Sequence, residues 1–220
     1  MSTNKFLENE PGFKKSINQI HRIARAHKSW NKCFGIGYNK TGTTSLDVVL
    51  STILGFKSNQ SLVETNSTLQ AINGNYSPLY QSLQSLDFHQ DLPISQGFIF
   101  ASLDALFPSS KFILTVRDNP AWVNSLIKQY RIPFLDIATG TRRIKNAHLF
   151  PGYSHNWIHH YMKEPLDILK GEVDCSSLKS LEDYQAYQFS ENFKKACINI
   201  YNLRNSSIQD HFGNRSDDLL

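Results

Sequence analysis

One stretch, Cys33–Leu46 (CFGIGYNKTGTTSL), constrains the fold more than any other. Its first residues are apolar and bounded by glycine, the pattern of a buried parallel strand. A turn follows through Gly37, Tyr38, Asn39, Lys40, Thr41 and Gly42. Thr43-Thr44-Ser45-Leu46 then opens a helical run with apolar residues at Leu46, Val48, Val49, Leu50, Ile53 and Leu54, ending at Gly55. Strand, glycine-bounded turn and helix in succession aim backbone N–H groups and the positive end of a helix at an anion. Gly37 and Gly42 supply the backbone freedom and close approach such a turn needs. Lys40 sits at the apex of the loop, where its ammonium can point at the same anion.

The rest of the chain extends this unit. Residues 1–13 are polar, broken by Pro11-Gly12, and read as a loose arm. Lys14–Trp30 carries a helical stripe of Ile17, Ile20, Ile23 and Ala24 among Lys14, Lys15, Arg22, Arg25 and Lys28. A basic amphipathic helix of this kind lies on membranes or acidic partners, or forms a surface helix leading into the first strand; the second reading is preferred. A short strand is expected within 55–61, mixed helix and loop over 62–84, and a strand over Leu86–Gln90 that stops at Asp91-Leu92-Pro93. Phe98–Phe107 reads as a packed helix. Lys111–Val116 (KFILTV) reads as a buried parallel strand, with a helix opened by Pro120 and carrying Trp122, Val123, Leu126 and Ile127. This alternation predicts an α/β fold, a P-loop-like open parallel sheet flanked by helices. From Tyr130 onward the chain turns mainly helical, with a long last helix over Phe189–Phe212 striped by Phe189, Phe193, Ala196, Cys197, Ile200 and Leu203. With 220 residues and no repeat, one domain is expected.

Charge and cysteine usage narrow the classes. A net charge of +4 suits an anionic ligand but is too slight to imply nucleic acid. The three cysteines (Cys33, Cys175, Cys197) are scattered and lack metal-ligand spacing, which reads as free thiols in a reducing compartment. The start of the chain does not read as a signal peptide and no apolar run approaches a membrane span, so a cytoplasmic location is expected.

A second anchor stands at the end of the KFILTV strand, where Arg117-Asp118-Asn119-Pro120 follows and Ser125 lies in the next helix. Ligands of open parallel sheets bind at the carboxyl ends of strands, so Arg117 is expected at the same edge as Lys40. A guanidinium suits a phosphate because its planar donors meet two oxygens at once.

Two loop families compete for this pattern. Gly37-x-x-x-x-Gly42-Thr43-Thr44 overlays the nucleotide-binding pattern GxxxxGK[ST], but Thr43 stands where the lysine belongs. The string Asn39-Lys40-Thr41-Gly42-Thr43-Thr44-Ser45-Leu46 resembles instead the 5′-phosphosulfate loop of sulfotransferases, commonly written PKxGTTxL, with Asn39 at the usual proline. Those enzymes move a sulfuryl group from 3′-phosphoadenosine 5′-phosphosulfate (PAPS). The arginine at a strand end with a serine eight residues on, Arg117 and Ser125, is similar to the family's 3′-phosphate signature. The resemblance implies binding of PAPS, or of its product PAP, by Asn39, Lys40, Thr41, Gly42, Thr43, Thr44, Ser45, Arg117 and Ser125, with no metal. His155 and His159 have i,i+4 spacing, but with His160 they read as surface or pocket-wall residues rather than ligands.

The family also places its base after a central strand, in a segment like Lys-Thr-His-Leu-Pro. Here His89-Gln90-Asp91-Leu92-Pro93 corresponds, putting Asp91 at the catalytic histidine and His89 at the sulfonate-holding lysine. Strand alternation sets both on one face, so Asp91 or His89 is the expected base and Lys40 the stabiliser of the leaving group. The acceptor is expected to be a small molecule or glycan carrying a hydroxyl or amine. In the branch with GTTSL in the loop, the stretch like Phe212–Leu220 leads into a further strand and a closing helix, so this chain reads as stopping short of them. That, with no histidine at position 91, keeps a non-catalytic PAP- or anion-binding relative as a rival, and a P-loop kinase as a lesser one.

Overall fold

The computed structural model describes residues 11–58, 67–140 and 157–220. It is a mixed α/β structure. Three parallel strands, β1 (Cys33–Gly35), β2 (Phe88–Gln90) and β3 (Lys111–Ile113), lie in the order β2-β1-β3. Cys33 pairs with Phe88 and Lys111, Phe34 with His89 and Phe112, and Gly35 with Gln90 and Ile113. The helices are α1 (Pro11–Ala26), α2 (Thr43–Asp47, running on as a π-helical turn, Val48–Ile53), α3 (Ser77–Gln84), α4 (Ile99–Leu106), α5 (Asn119–Thr139), α6 (Trp157–Tyr161), α7 (Lys163–Glu172), α8 (Leu181–Ala186) and α9 (Glu191–Phe212). A further helical stretch covers 67–72.

Three details differ from expectation. Helix α1 begins at Pro11, inside the segment read as an arm; residues 1–10 lie outside the described residues. No strand forms over 55–58, where the Lys57 carbonyl instead accepts from the N–H groups of Asp87 and Phe88 at 2.8 and 3.1 Å; 59–61 lies outside the described residues. The KFILTV run pairs as a strand only through Ile113, because beyond Gly35 the chain of β1 turns across its end. Its outer edge is met by the last two residues: Leu114 N–H donates to the Leu220 carbonyl at 2.9 Å and Leu220 N–H to Phe112 at 2.8 Å.

One face of the sheet (Cys33, Phe88) packs on Leu50 and Phe56; two larger clusters complete the core. Trp122, Leu126 and Phe134 of α5 pack with Leu166 of α7 and with Phe193 and Tyr201 of α9. Phe34 and Phe112 of the strands pack with Phe100 and Leu103 of α4 and with Ile208 and Phe212 at the end of α9. Helix α9 thus belongs to both clusters.

Its buried face corrects the expected stripe. Leu203 is 65% exposed, whereas Arg204 is 4% exposed. The helical repeat explains the exchange, since Phe193, Cys197, Tyr201, Arg204 and Ile208 fall on one face at three- and four-residue steps. The Arg204 guanidinium is spent on three carbonyls. Nε donates to Gly97 at 2.8 Å, Nη1 to Ile36 at 2.7 Å and Nη2 to Ile94 at 3.2 Å. Its charge also faces the ring of Tyr38, 5.4 Å away. Burial pulls its pKa down to about 10, so it stays charged at neutral pH.

Arg204→Met should therefore lower stability by about 3 kcal/mol or more, because three buried carbonyls lose their donor. Urea unfolding of the variant measures this. A loss under about 1 kcal/mol would contradict the role given to Arg204.

Candidate active site

The carboxyl ends of the three strands meet at one edge, and each contributes a segment to a single cavity of ≈ 380 Å³. From β1 comes the loop that carries Asn39, Lys40, Gly42, Thr43 and Thr44; from β2, Asp91 and Leu92; from β3 and α5, Arg117, Ser125, Gln129 and Tyr130.

The loop is held where it is by a close approach. A Cβ on Gly37 would fall 2.0 Å from Thr115 Oγ1 and 2.5 Å from the Thr115 carbonyl, so only glycine lets the chain cross the end of β3 there. Thr41 Oγ1 then bonds the Tyr38 carbonyl at 2.6 Å and Thr115 Oγ1 at 2.7 Å. Lys40 takes the left-handed conformation (φ 72°) at the apex, as does Gly42 (φ 106°) at the start of α2. No side chain caps that helix start, which leaves its first N–H groups facing the cavity end.

Below the loop lies an aromatic platform. Trp122 stacks on Tyr201 with ring centres 4.3 Å apart, and Tyr38 meets Trp122 edge-on at 5.4 Å. The platform also supplies hydrogen bonds. Trp122 Nε1 donates to the Asn39 carbonyl at 2.9 Å. The Tyr201 hydroxyl accepts from Arg117 N–H at 2.8 Å and donates to the Arg117 carbonyl at 3.1 Å. The Arg117 guanidinium reaches the Lys40 carbonyl at 3.3 Å. Asp118 is not its ion-pair partner; that carboxylate caps α5 by accepting from Ala121 N–H at 3.2 Å. Neither Lys40 nor Arg117 pairs with a carboxylate among the described residues, so both cationic groups are left to the cavity.

Asn39, Lys40, Gly42, Thr43, Thr44, Arg117, Ser125 and Asp91 thus line one cavity, while Thr41 and Ser45 stand beside it on the same loop and helix start. His89 does not join them. Its ring is buried within the sheet layer, with Nε2 donating to the Leu92 carbonyl at 3.2 Å and Nδ1 without a partner among the described residues. Asp91 leaves the strand in the left-handed region (φ 68°), so strand alternation no longer relates the two residues. Burial pushes the His89 pKa down to about 4, which keeps the ring neutral. Asn39 is more constrained than a ligand contact alone requires. Its amide donates to Asp91 Oδ1, and its Oδ1 accepts from Ser95 Oγ at 3.1 Å and from Gln96 Nε2. This junction, Tyr201 and Thr115 were not visible in the sequence, although Gln129 follows Ser125 at i+4 and could have been read from that spacing.

His155 lies outside the described residues, as does the side chain of His159; His160 is exposed. No cluster of three or more metal-binding side chains occurs among the described residues. The donor set is cationic and hydroxylic, which fits phosphate or sulfate oxygens directly.

A family model described as the sulfotransferase domain matches residues 32–214, from the first strand to the end of the last helix. The chain belongs to the sulfotransferase domain family. No curated protein matches it. The family's chemistry is sulfuryl transfer in general, and the matched span contains every residue of the cavity. No helix among the described residues is long and apolar enough to cross a membrane.

The buried His89 has a consequence for stability against pH. Its folded-state value lies below the ordinary 6.5, so the unfolded chain takes up the proton first as pH falls. The stability it allows is full above about pH 6.5 and declines as pH falls toward 4. Between pH 7 and 4 the wild type should lose about 3 kcal/mol more than His89→Gln. Urea midpoints across that range test it, and parallel pH profiles for the two proteins would contradict it.

Proposed function

We propose that this protein transfers a sulfuryl group from PAPS to the hydroxyl or amine of a small-molecule or glycan acceptor. The observation that carries the reading is the convergence of Lys40, the open N–H groups of the 42–45 turn, Arg117 and Ser125 on one cavity whose cationic groups pair with no carboxylate among the described residues. The cavity holds two cationic points, Lys40 on the loop and Arg117 on the strand end, which suits a ligand with an anion at each of two positions. When bound, such a donor supplies the sulfuryl group and leaves as the bisphosphate, PAP.

The residues then divide the work. Arg117 and Ser125 hold the phosphate of the ribose side, the guanidinium by its paired donors and the serine by its hydroxyl. Lys40 and the N–H groups of the turn hold the 5′ side and offset the charge that develops on the leaving phosphate. Thr43 and Thr44 add hydroxyls to the same end. Asp91 is the base, taking the proton from the acceptor as the new bond to sulfur forms and the bond to the phosphate breaks in line. Asn39 orients that carboxylate through its amide. His89, neutral and buried, braces the turn at Leu92 rather than moving protons.

A thermal-shift titration tests the ligand. PAP at about a hundred times its dissociation constant should add roughly 2.7 kcal/mol to the folded state. The shift should vanish in Lys40→Ala, and Mg²⁺·ATP should give none. A shift with Mg²⁺·ATP alone would overturn the reading in favour of a kinase.

The chemistry is tested separately in Asp91→Asn. With an acceptor found by screening hydroxyl and amine compounds against PAPS, this variant should keep the PAP shift and lose about a hundred-fold or more in kcat. Unchanged kcat would remove Asp91 from the base role. PAP binding without turnover on any acceptor would favour a non-catalytic relative.

A further inference from the structure

We propose that helix α1 and the π-helical turn beside it form a docking surface for an anionic lipid bilayer. From Pro11 to Leu46 the chain has no acidic residue, and its charges are Lys14, Lys15, Arg22, Arg25, Lys28, Lys32 and Lys40. Among the described residues, the half-buried positions of helix α1 fall along one narrow line. Ile17, His21 and Ala24 are half-buried, as is Lys28 just past the helix end, and the remaining described side chains of the helix are exposed.

That line is fixed by polar bonds as much as by packing. His21 Nε2 meets the Thr52 carbonyl at 3.0 Å, Arg25 donates to the Gly55 carbonyl at 2.9 Å, and Lys28 pairs with Asp87 at 2.6 Å. The helix is therefore seated, but its apolar stripe is not used up. Ile20 is 37% exposed and Ile23 48%. Across the His21–Thr52 contact the π-helical turn adds Val49 (44%) and Ile53 (39%). These are aliphatic side chains beside a helix whose Lys14, Lys15 and Arg22 make no ion pair with any described carboxylate.

The two features together select the occupant. Cations on a polar face with exposed aliphatic residues on another are what an interfacial helix needs, the side chains entering the acyl boundary while the cations meet headgroup phosphates. Each basic residue near an anionic leaflet adds to binding, and the attraction is screened by salt. An acidic protein would answer the cations but give the four aliphatic residues no fixed role. The surface is separate from the cavity, because the anion-facing turn opens α2 whereas Val49 and Ile53 lie beyond its other end. Docking thus leaves the cavity residues untouched.

Co-sedimentation of the full chain with vesicles tests the proposal. Vesicles of phosphatidylcholine with about a third phosphatidylserine should bind the protein at low salt, and pure phosphatidylcholine should bind at least ten-fold less. The triple variant Lys14→Glu, Lys15→Glu, Arg22→Glu should bind the anionic vesicles at least ten-fold more weakly, with an unchanged thermal midpoint. Ile20→Asp with Ile23→Asp should do the same. Failure of the wild type to bind the anionic vesicles overturns the proposal, as does undiminished binding by the triple variant. Undiminished binding by the isoleucine variant also overturns it, leaving charge alone and pointing to an acidic macromolecule.

Discussion

Much of the structure depends on one buried cation. The Arg204 guanidinium takes carbonyls from Ile36 at the end of β1 and from Ile94 and Gly97 in the segment after β2. These segments are far apart in sequence and meet only at the carboxyl edge of the sheet. A buried charge without a carboxylate is expensive unless its donors are used and a polarisable face lies nearby. Three carbonyls and the rings of Tyr38 and Phe100 meet that demand. One helical turn earlier on α9, Tyr201 bonds the backbone of Arg117 on both its N–H and its carbonyl. The last helix thus sets the positions of all three strand ends from beneath.

The electrostatics of the cavity follow from what that scaffold excludes. Among the described carboxylates, Asp118 caps the start of α5, and Asp91, in the cavity wall, accepts from the amide of Asn39; neither pairs with Lys40 or Arg117. Lys40 and Arg117 are left as net positive charge at an edge already made positive by an uncapped helix start. Asn39 links the two halves of the proposed chemistry. Its carbonyl is fixed by Trp122, and its side chain joins the 37–42 loop to the Asp91 turn. A shift of the loop is therefore transmitted to the carboxylate.

The parts of this arrangement that were legible in the sequence are local. The glycine-bounded loop, Lys40, the strand ending in Arg117 and the helical offset to Ser125 all depend on spacing within a few residues. What was hidden depends on distant contacts. Arg204 reads as a break in an apolar stripe and Leu203 as its continuation, until the exact phase of a long helix is known. His89 and Asp91 read as neighbours on one strand face because the left-handed turn at Asp91, which separates them, leaves no mark in the residue type. Asn39 reads as a substitute for a loop proline, whereas its partners Asp91, Ser95 and Gln96 lie more than fifty residues away.

The proposed sulfuryl transfer requires a cavity that recognises two anions, one at Lys40 and one at Arg117. Calorimetric titration with PAP and with adenosine 5′-phosphate, on the wild type and on Arg117→Ala, tests it most directly. PAP should bind the wild type at least ten-fold more tightly than adenosine 5′-phosphate, about 1.4 kcal/mol, and the difference should disappear in Arg117→Ala. Equal affinities in the wild type, or a preference for PAP that survives Arg117→Ala, would contradict the account.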